Sequence, residues 1–276
     1  MRNSLMSPVE LAWFYSHRLL AGLTLLFLIL PVLVIIPLSF NDSSFLVYPM
    51  TGFSMRWYHD FFDSADWMRS LKNSLIVAPA ATTLAMGLGT LAAIGLARAE
   101  FRGKALLMSL LISPMVVPLV IVGVAGYLFF APLGMSNSYL ALILMHAVLG
   151  VPFVVITVSA TLQGFNYNLV RAAASLGASP LRTFFKVTLP LIAPGVISGA
   201  LFAFGTSFDE VVVTIFMAGP EQVTLPRAMF SGIRENLSPT IAAAATLLIG
   251  FSVVMLLTLE WLRGRGERLR TAPLKP

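Results

Sequence analysis

Six long apolar stretches alternate with short polar segments along this chain, and they dominate its pattern. A helix of about 20 apolar residues is long enough to cross the hydrocarbon core of a bilayer, which is roughly 30 Å thick. The pattern therefore predicts six transmembrane helices, at residues 19–39, 74–97, 105–130, 139–161, 195–217 and 239–262. The first stretch is too long and too uniformly apolar for a cleavable signal peptide, so we expect it to be retained.

The polar segment between the fourth and fifth stretches, residues 162–194, predicts a helical hairpin. Its first helix places apolar residues at the i, i+3, i+4 and i+7 spacing of one helix face, and these are Leu169, Ala172, Ala173 and Leu176. Gly177 is expected to end this helix, because glycine adopts the left-handed C′ conformation without strain. Ser179 and Pro180 suit an N-cap and a first helical residue, so they predict the start of the second helix.

The second helix of the hairpin separates apolar from basic side chains. Its apolar side is Leu181, Phe184 and Phe185, and its basic side is Arg182 and Lys186. We expect Pro190 and Pro194 to end the helix and to lead into the fifth transmembrane helix. A small-residue apolar face suits docking into a groove of a partner. The alternative is a solvated loop that only connects two transmembrane helices.

The composition supports a membrane protein. Hydrophobic residues make up 58% of the chain and charged residues 11%, whereas a soluble domain carries about 25% charged residues. The 276 residues include no cysteine, which excludes disulfides and thiolate metal sites. The net charge of +6 comes from basic residues scattered among short loops, so we attribute it to membrane topology and not to nucleic-acid binding.

The distribution of Lys and Arg among the loops predicts the orientation of the chain. If the N-terminus is cytoplasmic, five of the 18 basic residues face the outside, namely Arg56, Arg69, Lys72, Arg227 and Arg234. Cytoplasmic loops are enriched in Lys and Arg, so both termini and the 162–194 hairpin are predicted to be cytoplasmic. The chain then has an N-terminal cytoplasmic or interfacial segment at 1–18, a six-helix membrane domain at 19–262 and a basic cytoplasmic tail at 263–276.

The hairpin resembles the cytoplasmic signature of membrane subunits of ABC importers that work with extracytoplasmic binding proteins. That signature is E-A-A, three residues, G, nine residues and I-x-L-P. The matching positions here are Arg171, Ala172, Ala173, Gly177, Val187, Leu189 and Pro190. Two of them depart from the signature, since Arg171 replaces the usual Glu and Val187 replaces Ile. The charge reversal at Arg171 is unfavourable for the helix dipole, and it leaves open which ATPase side chains lie opposite.

This resemblance implies an all-α, type I ABC importer permease fold whose hairpin docks on a separate ATPase subunit. The residues expected to take part in ATPase coupling are Arg171, Ala172, Ala173, Gly177, Leu181, Leu189 and Pro190. The resemblance also implies a second homologous permease subunit, two ATPase subunits, an extracytoplasmic solute-binding protein and a location in the bacterial inner membrane.

Further segments are similar to the second membrane subunit of spermidine/putrescine permeases. They are FSMRWY at 53–58, KNSLIV at 72–77, SFDEVVV at 207–213, Gly219 with Pro220, TLP at 224–226 and SPT at 238–240. The similarity implies import of a small cation of the polyamine class. Importers of opines, phosphonates and other amino compounds are the alternative within the same class of transporter.

Asp209 and Glu210 are adjacent carboxylates within the fifth predicted transmembrane helix. A carboxylate in the membrane is costly unless it faces a cavity or a partner, so both are candidates for a substrate pathway. Neighbouring helix residues diverge by about 100°. We therefore expect one of the two to line the pathway and the other to pair with a polar neighbour. The alternative is a structural ion pair with Arg227 or Arg234. A pathway carboxylate suits a substrate that bears ammonium groups.

Two other features within the predicted helices are open to a structural or a functional interpretation. His146, in the fourth helix, is either a hydrogen-bonded packing residue or part of a proton relay. The segment SPMVVP at 113–118 is either an ordinary proline kink or a part of the third helix that shapes a pathway.

Catalytic and nucleotide-binding motifs are missing from the sequence. It contains no G-x-x-x-x-G-K-[ST], no H-E-x-x-H and no G-x-S-x-G. The sequence therefore predicts a transport subunit that is not an enzyme, has no cofactor and depends on another polypeptide for ATP hydrolysis. A stand-alone secondary transporter or channel, and a membrane scaffold without a pathway, are the alternatives. Co-purification with an ATPase separates the first hypothesis from these two.

Overall fold

The computed structural model describes residues 7–235 and 238–271 of the chain. In these ranges the regular structure is helical, apart from one isolated bridge between Asn41 and Phe53, which confirms the all-α prediction. The α-helices are α1 (Pro8–Leu38), α2 (Arg56–Asp63), α3 (Ala65–Arg98), α4 (Lys104–Ile112), α5 (Leu119–Phe130), α6 (Tyr139–Gln163), α7 (Asn168–Ser175), α8 (Pro180–Thr183), α9 (Leu189–Phe208), α10 (Val212–Met217), α11 (Leu225–Glu235) and α12 (Thr240–Thr271).

The number of membrane spans agrees with the predicted six when one bent pair is counted as a single span. Within the described residues, five helical segments are long and apolar enough to cross a bilayer. They are Pro8–Leu38, Ala65–Arg98, Tyr139–Gln163, Pro180–Phe208 and Thr240–Thr258. The sixth is α4 together with α5.

The third predicted helix, residues 105–130, is not one straight helix, and that part of the prediction is wrong. A 3-10 turn at Ser113–Met115 follows α4, and α4 and α5 lie at 103° to each other. Pro114 and Pro118 lack the amide hydrogen that a continuous helix requires, so the hydrogen-bond ladder stops between them. A bend of this size exceeds an ordinary kink.

The fifth predicted helix, residues 195–217, begins earlier than expected. Helical structure continues from Pro180 to Phe208, so Pro190 and Pro194 lie inside it and the prediction that they end the hairpin helix is wrong. The turn before Pro190 is a π-helix at Phe184–Thr188, whose closing bond runs from the Leu189 amide to the Phe184 carbonyl. This wider turn accommodates a proline, which has no amide hydrogen to donate.

The N-terminal segment at 1–18 is not separated from the first membrane span. α1 begins at Pro8, after a capping box in which Ser7 and Glu10 each accept a hydrogen bond from the other's backbone amide, and it continues without a break past Pro31. Residues 1–6 of this segment and residues 272–276 of the basic tail lie outside the described residues. The cytoplasmic location of both termini stays a prediction.

The chain divides into two compact units. In the larger unit, which includes residues 64–231, α3, α6 and α9 pack closely through small residues. A methyl group on Gly89 would lie 2.7 Å from Val154, and one on Gly199 would lie 2.7 Å from the Val154 Cα atom. Glycine at these positions lets α3 and α9 approach α6 closely.

In the smaller unit, which includes residues 1–63, the loop between α1 and α2 is organised around Asn41. This side chain is fully buried. Its amide group donates to the Val47 carbonyl at 3.1 Å, and its Oδ1 atom accepts from the Thr51 hydroxyl at 3.0 Å. The Trp57 indole donates to the Asn41 carbonyl at 2.6 Å. One asparagine therefore fixes the long segment between the two helices.

Candidate functional site

The fifth span is interrupted at Asp209 and Glu210. Asp209 ends α9, and its amide donates to the Gly205 carbonyl at 3.0 Å. The Glu210 carboxylate accepts hydrogen bonds from the backbone amides of Val213 at 2.8 Å and Thr214 at 2.9 Å. These amides lie in the first turn of α10 and have no partner within the helix. Glu210 therefore caps a new helix, and the prediction of one unbroken span at 195–217 is wrong.

Glu210 belongs to a buried polar cluster that joins α6, α9 and α10. The residue is 5% exposed, and its Oε2 atom lies 3.1 Å from the Thr214 hydroxyl and 3.7 Å from His146 Nε2. The two ring nitrogens of His146 also lie 2.8 Å from the Ser207 hydroxyl and 3.1 Å from the Thr214 hydroxyl. Each nitrogen is thus engaged by a neighbouring helix, which supports the hydrogen-bonded packing interpretation of His146.

The opposite end of α10 is capped by Arg227 of α11. Its guanidinium donates to the carbonyls of Ala218 at 2.6 Å and Thr214 at 3.4 Å. Burial lowers the pKa of Arg227, but a guanidinium remains charged in proteins. Among the residues that the structure describes, Arg227 has no ion pair with Asp209 or Glu210. A carboxylate at one end of α10 and a guanidinium at the other each complement the helix dipole.

Asp209 is exposed, unlike its neighbour, and it faces a cavity of about 450 Å³. The wall is formed by Leu119, Leu149, Gly205, Thr206, Asp209, Glu210, Val211 and Val212. Leu119 is the first residue of α5, so the breaks of the third and fifth spans meet at this cavity. In the described part of the chain, no side chain pairs with the Asp209 carboxylate.

The electrostatics of the cavity favour a cation. The C-terminal end of α9 carries a partial negative charge and leaves its last carbonyls without helical partners. The Asp209 carboxylate adds a full negative charge at the same end of that helix. The N-terminal ends of α5 and α10 also border the cavity, and the Glu210 carboxylate occupies two amides of α10. The full charge of Asp209, and not the helix ends, therefore favours an ammonium group over an anion.

The turn between the two hairpin helices has the local structure that the sequence predicts. α7 ends at Ser175, and Gly177 has a φ of +78°. The Ala178 amide donates to the Ala173 carbonyl at 3.0 Å, which completes a glycine-based helix stop. Ser179 caps α8 by accepting from the Arg182 amide. The predictions for Gly177, Ser179 and Pro180 are confirmed.

The predicted coupling residues are mostly exposed. Arg171, Ala172, Gly177, Leu181 and Pro190 are exposed, while Ala173 and Leu189 are half-buried. The inner side of α7 faces a cavity of about 360 Å³, which Val170 and Ala174 line with Arg98 and Tyr167. The Arg98 guanidinium lies 5.2 Å from the centre of the Tyr167 ring, a cation–π contact that the sequence analysis did not find.

A second set of contacts that the sequence analysis missed fixes the loop after α10. The Asn73 amide donates to the carbonyls of Glu221 at 2.8 Å and Val223 at 2.9 Å. The Tyr139 hydroxyl donates to Asn73 Oδ1 at 2.7 Å. The available signal was the polar pair Asn73 and Ser74 at the start of an apolar stretch. For the cluster around Glu210, the available signal was the spacing of two hydroxyl residues. Ser207 stands three residues before Glu210, and Thr214 stands four residues after it.

Sequence comparisons identify relatives over most of the chain. A family model described as "Binding-protein-dependent transport system inner membrane component" matches residues 85–265. The chain is 37% identical over 259 residues to the putrescine transport system permease protein PotI of Escherichia coli (strain K12), with 91% of each chain covered. It is 34% identical over 249 residues to the spermidine/putrescine transport system permease protein PotC of the same strain, with 90% of this chain and 94% of PotC covered.

Comparison with solved structures supports the expected fold. One match is to a bacterial ABC transporter involved in the import of the acidic polysaccharide alginate, with a TM-score of 0.73 and 14% identity over 95% of this chain and 99% of the other. Another is to the inward-facing MetNI methionine ABC transporter, with a TM-score of 0.58 and 18% identity over 74% of this chain and 95% of the other. The ABC importer permease fold is therefore confirmed. The chain belongs to the family of inner membrane components of binding-protein-dependent transport systems.

Proposed function

We propose that this chain forms part of the translocation pathway of an ATP-driven importer for a polyamine such as putrescine or spermidine. The observation that carries the proposal is the unpaired Asp209 carboxylate in the cavity where two helix breaks meet. The names of PotI and PotC indicate the same substrate class. Importers of phosphonates are disfavoured as models, because a negatively charged cavity repels an anion.

Putrescine and spermidine bring two or more ammonium groups into a site of low dielectric constant. Each such charge needs an opposite charge or oriented acceptors once its water is removed. Asp209 and the free carbonyls at the end of α9 supply these acceptors. We assign Glu210 a different task, since its carboxylate is already occupied by two backbone amides and the Thr214 hydroxyl.

The hairpin at 162–194 transmits ATP hydrolysis from a separate ATPase subunit to the membrane helices. Its exposed coupling residues contact the ATPase, and the π-helix joins the hairpin to α9 without a flexible linker. Movement of the hairpin therefore moves the helix that carries Asp209. A second permease subunit completes the pathway, and a solute-binding protein delivers the substrate on the outer side.

Uptake into proteoliposomes tests the function. The complex of this chain with its permease, ATPase and binding-protein partners should accumulate radiolabelled putrescine with ATP, and should not do so with ADP or with a non-hydrolysable analogue. Dissipating ion gradients with ionophores should leave uptake unchanged, which distinguishes the importer from a secondary transporter. Excess unlabelled spermidine should compete, and a neutral diol of the same length should not. Uptake that follows an ion gradient without ATP contradicts the proposal.

The proposed membrane orientation has a direct test because the chain contains no cysteine. The domain at 19–262, with cytoplasmic segments at 1–18 and 263–276, places Ser175 inside and Ser64 outside. Ser175→Cys should react with an impermeant maleimide only in inside-out vesicles, and Ser64→Cys only in right-side-out vesicles. The reverse labelling pattern contradicts the topology.

A further inference from the structure

The exposed surface of the hairpin carries charge of a single sign. Residues 164–190 include Arg171, Arg182 and Lys186 but no Asp or Glu. All three basic side chains are exposed. None of them forms an ion pair with any carboxylate in the part of the chain that the structure describes. The hairpin therefore presents positive charge that the chain itself does not neutralise.

Arg171 is also placed against the local preference of its helix. It is the fourth residue of α7, and a cation in the first turn is opposed by the partial positive charge of the helix N-terminus. The Ser175 hydroxyl donates to the Arg171 carbonyl at 3.0 Å, so it leaves the guanidinium free. A residue that is locally unfavourable and has no internal compensation indicates a partner outside the chain.

Arg171 is followed along the hairpin by two strongly exposed leucines. Val170 and Ala174 line the inner cavity, while Arg171 is exposed. Leu176 is 88% exposed and Leu181 is 71% exposed. The Gly177 turn and the Ser179 cap fix these leucines relative to Arg171. Residues 171–181 thus present exposed apolar side chains together with an exposed charge, a combination that also occurs in interfaces with a polar rim.

On the basis of the proposed function, we infer that Arg171 binds a carboxylate of the ATPase subunit that receives this hairpin. The inferred ATPase groove is apolar where it meets Leu176 and Leu181 and acidic where it meets Arg171. Charge complementarity of this kind sets partner choice and orientation more than total affinity. Arg171 is thus a determinant of which ATPase the permease accepts.

Arg182 and Lys186 are not assigned to the contact with the ATPase carboxylate. They lie in the segment that continues directly into α9, so anionic lipid headgroups at the membrane surface are available to them. Arg171 lies on the preceding helix, on the far side of the Gly177 turn. The experiment therefore has to distinguish binding of Arg171 to a lipid from binding of Arg171 to the ATPase.

Charge reversal in the reconstituted complex tests the inference. In vesicles containing the full complex, Arg171→Glu should reduce binding-protein-stimulated ATP hydrolysis at least tenfold and release the ATPase during purification. Arg171→Lys should retain most of the activity. Arg102→Glu is the matched control, because it reverses an exposed charge in the neighbouring basic loop outside the hairpin. Disulfide trapping between Arg171→Cys and single cysteines that replace acidic residues of the ATPase, with an added oxidant, locates the facing carboxylate. Its replacement by Arg should restore the Arg171→Glu complex.

The outcomes are distinct. Normal ATPase retention and stimulated hydrolysis in Arg171→Glu overturn the inference while leaving the proposed function intact. A defect that disappears in vesicles of phosphatidylcholine alone, and returns with phosphatidylglycerol, also overturns it, because the partner is then a lipid. A wild-type complex that shows no ATP-driven putrescine uptake overturns the proposed function together with the inference.

Discussion

The breaks in the third and fifth spans have different physical causes. Between α4 and α5, Pro114 and Pro118 remove backbone donors, and the chain bends by 103°. Between α9 and α10 there is no proline from residue 195 to residue 219. That break is made by Glu210, which bonds the first amides of α10. Proline stops a helix by its own chemistry, whereas a buried carboxylate stops a helix only where the surroundings accept its charge.

The two breaks also rely on different neighbouring helices. His146 comes from α6 and contacts Ser207, Thr214 and Glu210, so the second break relies on a distant helix. The first break relies on packing of α5 against α10, where a methyl group on Gly123 would lie 2.6 Å from the Phe216 ring. Both breaks end at the cavity that contains Asp209, and each can be perturbed separately.

Removal of the Glu210 carboxylate should have the largest effect on stability. Glu210→Ala leaves the amides of Val213 and Thr214 buried without a partner, and each orphaned amide costs about 1–3 kcal/mol. We expect a loss of about 2–5 kcal/mol in the free energy of unfolding, measured by thermal unfolding of the purified protein in detergent. Glu210→Gln keeps one acceptor oxygen and should recover about half of the loss. Wild-type stability of Glu210→Ala contradicts the capping role.

An added methyl group between α5 and α10 should have an intermediate effect on the stability of the protein. Gly123→Ala places its Cβ against Phe216, and overpacking of this kind costs about 1–3 kcal/mol. Gly87→Ala is the control, because nothing lies within 4 Å of a methyl group there. The same unfolding assay should show a lower midpoint for Gly123→Ala than for Gly87→Ala. Equal midpoints argue that this packing does not hold the bent pair.

Removal of a proline should have the smallest effect on stability. Pro118→Ala restores one amide hydrogen, but Pro114 still interrupts the hydrogen-bond ladder and α5 still packs against α10, so we expect a change of less than about 1 kcal/mol. A cysteine pair placed across the bend, in the otherwise cysteine-free chain, should crosslink equally well with and without the Pro118→Ala substitution. A large loss of crosslinking in the substituted chain would show that Pro118 alone holds the angle.

These differences also explain which features the sequence could predict. The fourth span was predicted at 139–161 and observed at Tyr139–Gln163, because its apolar run is long and its Pro152 does not interrupt it. The hairpin caps at Gly177 and Ser179 were predictable, because backbone conformation and capping depend on one or two residues. The local sequence was therefore sufficient to predict the fourth span and the two hairpin caps.

Features that depend on distant residues were not predictable. The contact of Glu210 with His146 joins α10 to α6, and the capping of α10 by Arg227 joins it to α11. No local pattern encodes the proximity of these segments. The adjacent carboxylates led to the prediction that one lines a pathway and the other pairs with a polar neighbour, and the pathway role stays a prediction. Only the structure shows that Asp209 is exposed and Glu210 is buried, and that both lie in the wall of the same cavity.

The most direct test of the account is the initial rate of ATP-driven putrescine uptake by the Asp209→Asn complex. The substitution changes one exposed side chain and no hydrogen bond of the Glu210 cluster, so the complex should assemble with wild-type stability. We predict a loss of uptake of at least tenfold, with Asp63→Asn, an exposed carboxylate outside the cavity, as the unaffected control. Wild-type uptake by an intact Asp209→Asn complex contradicts the central claim that this cavity carries the cation.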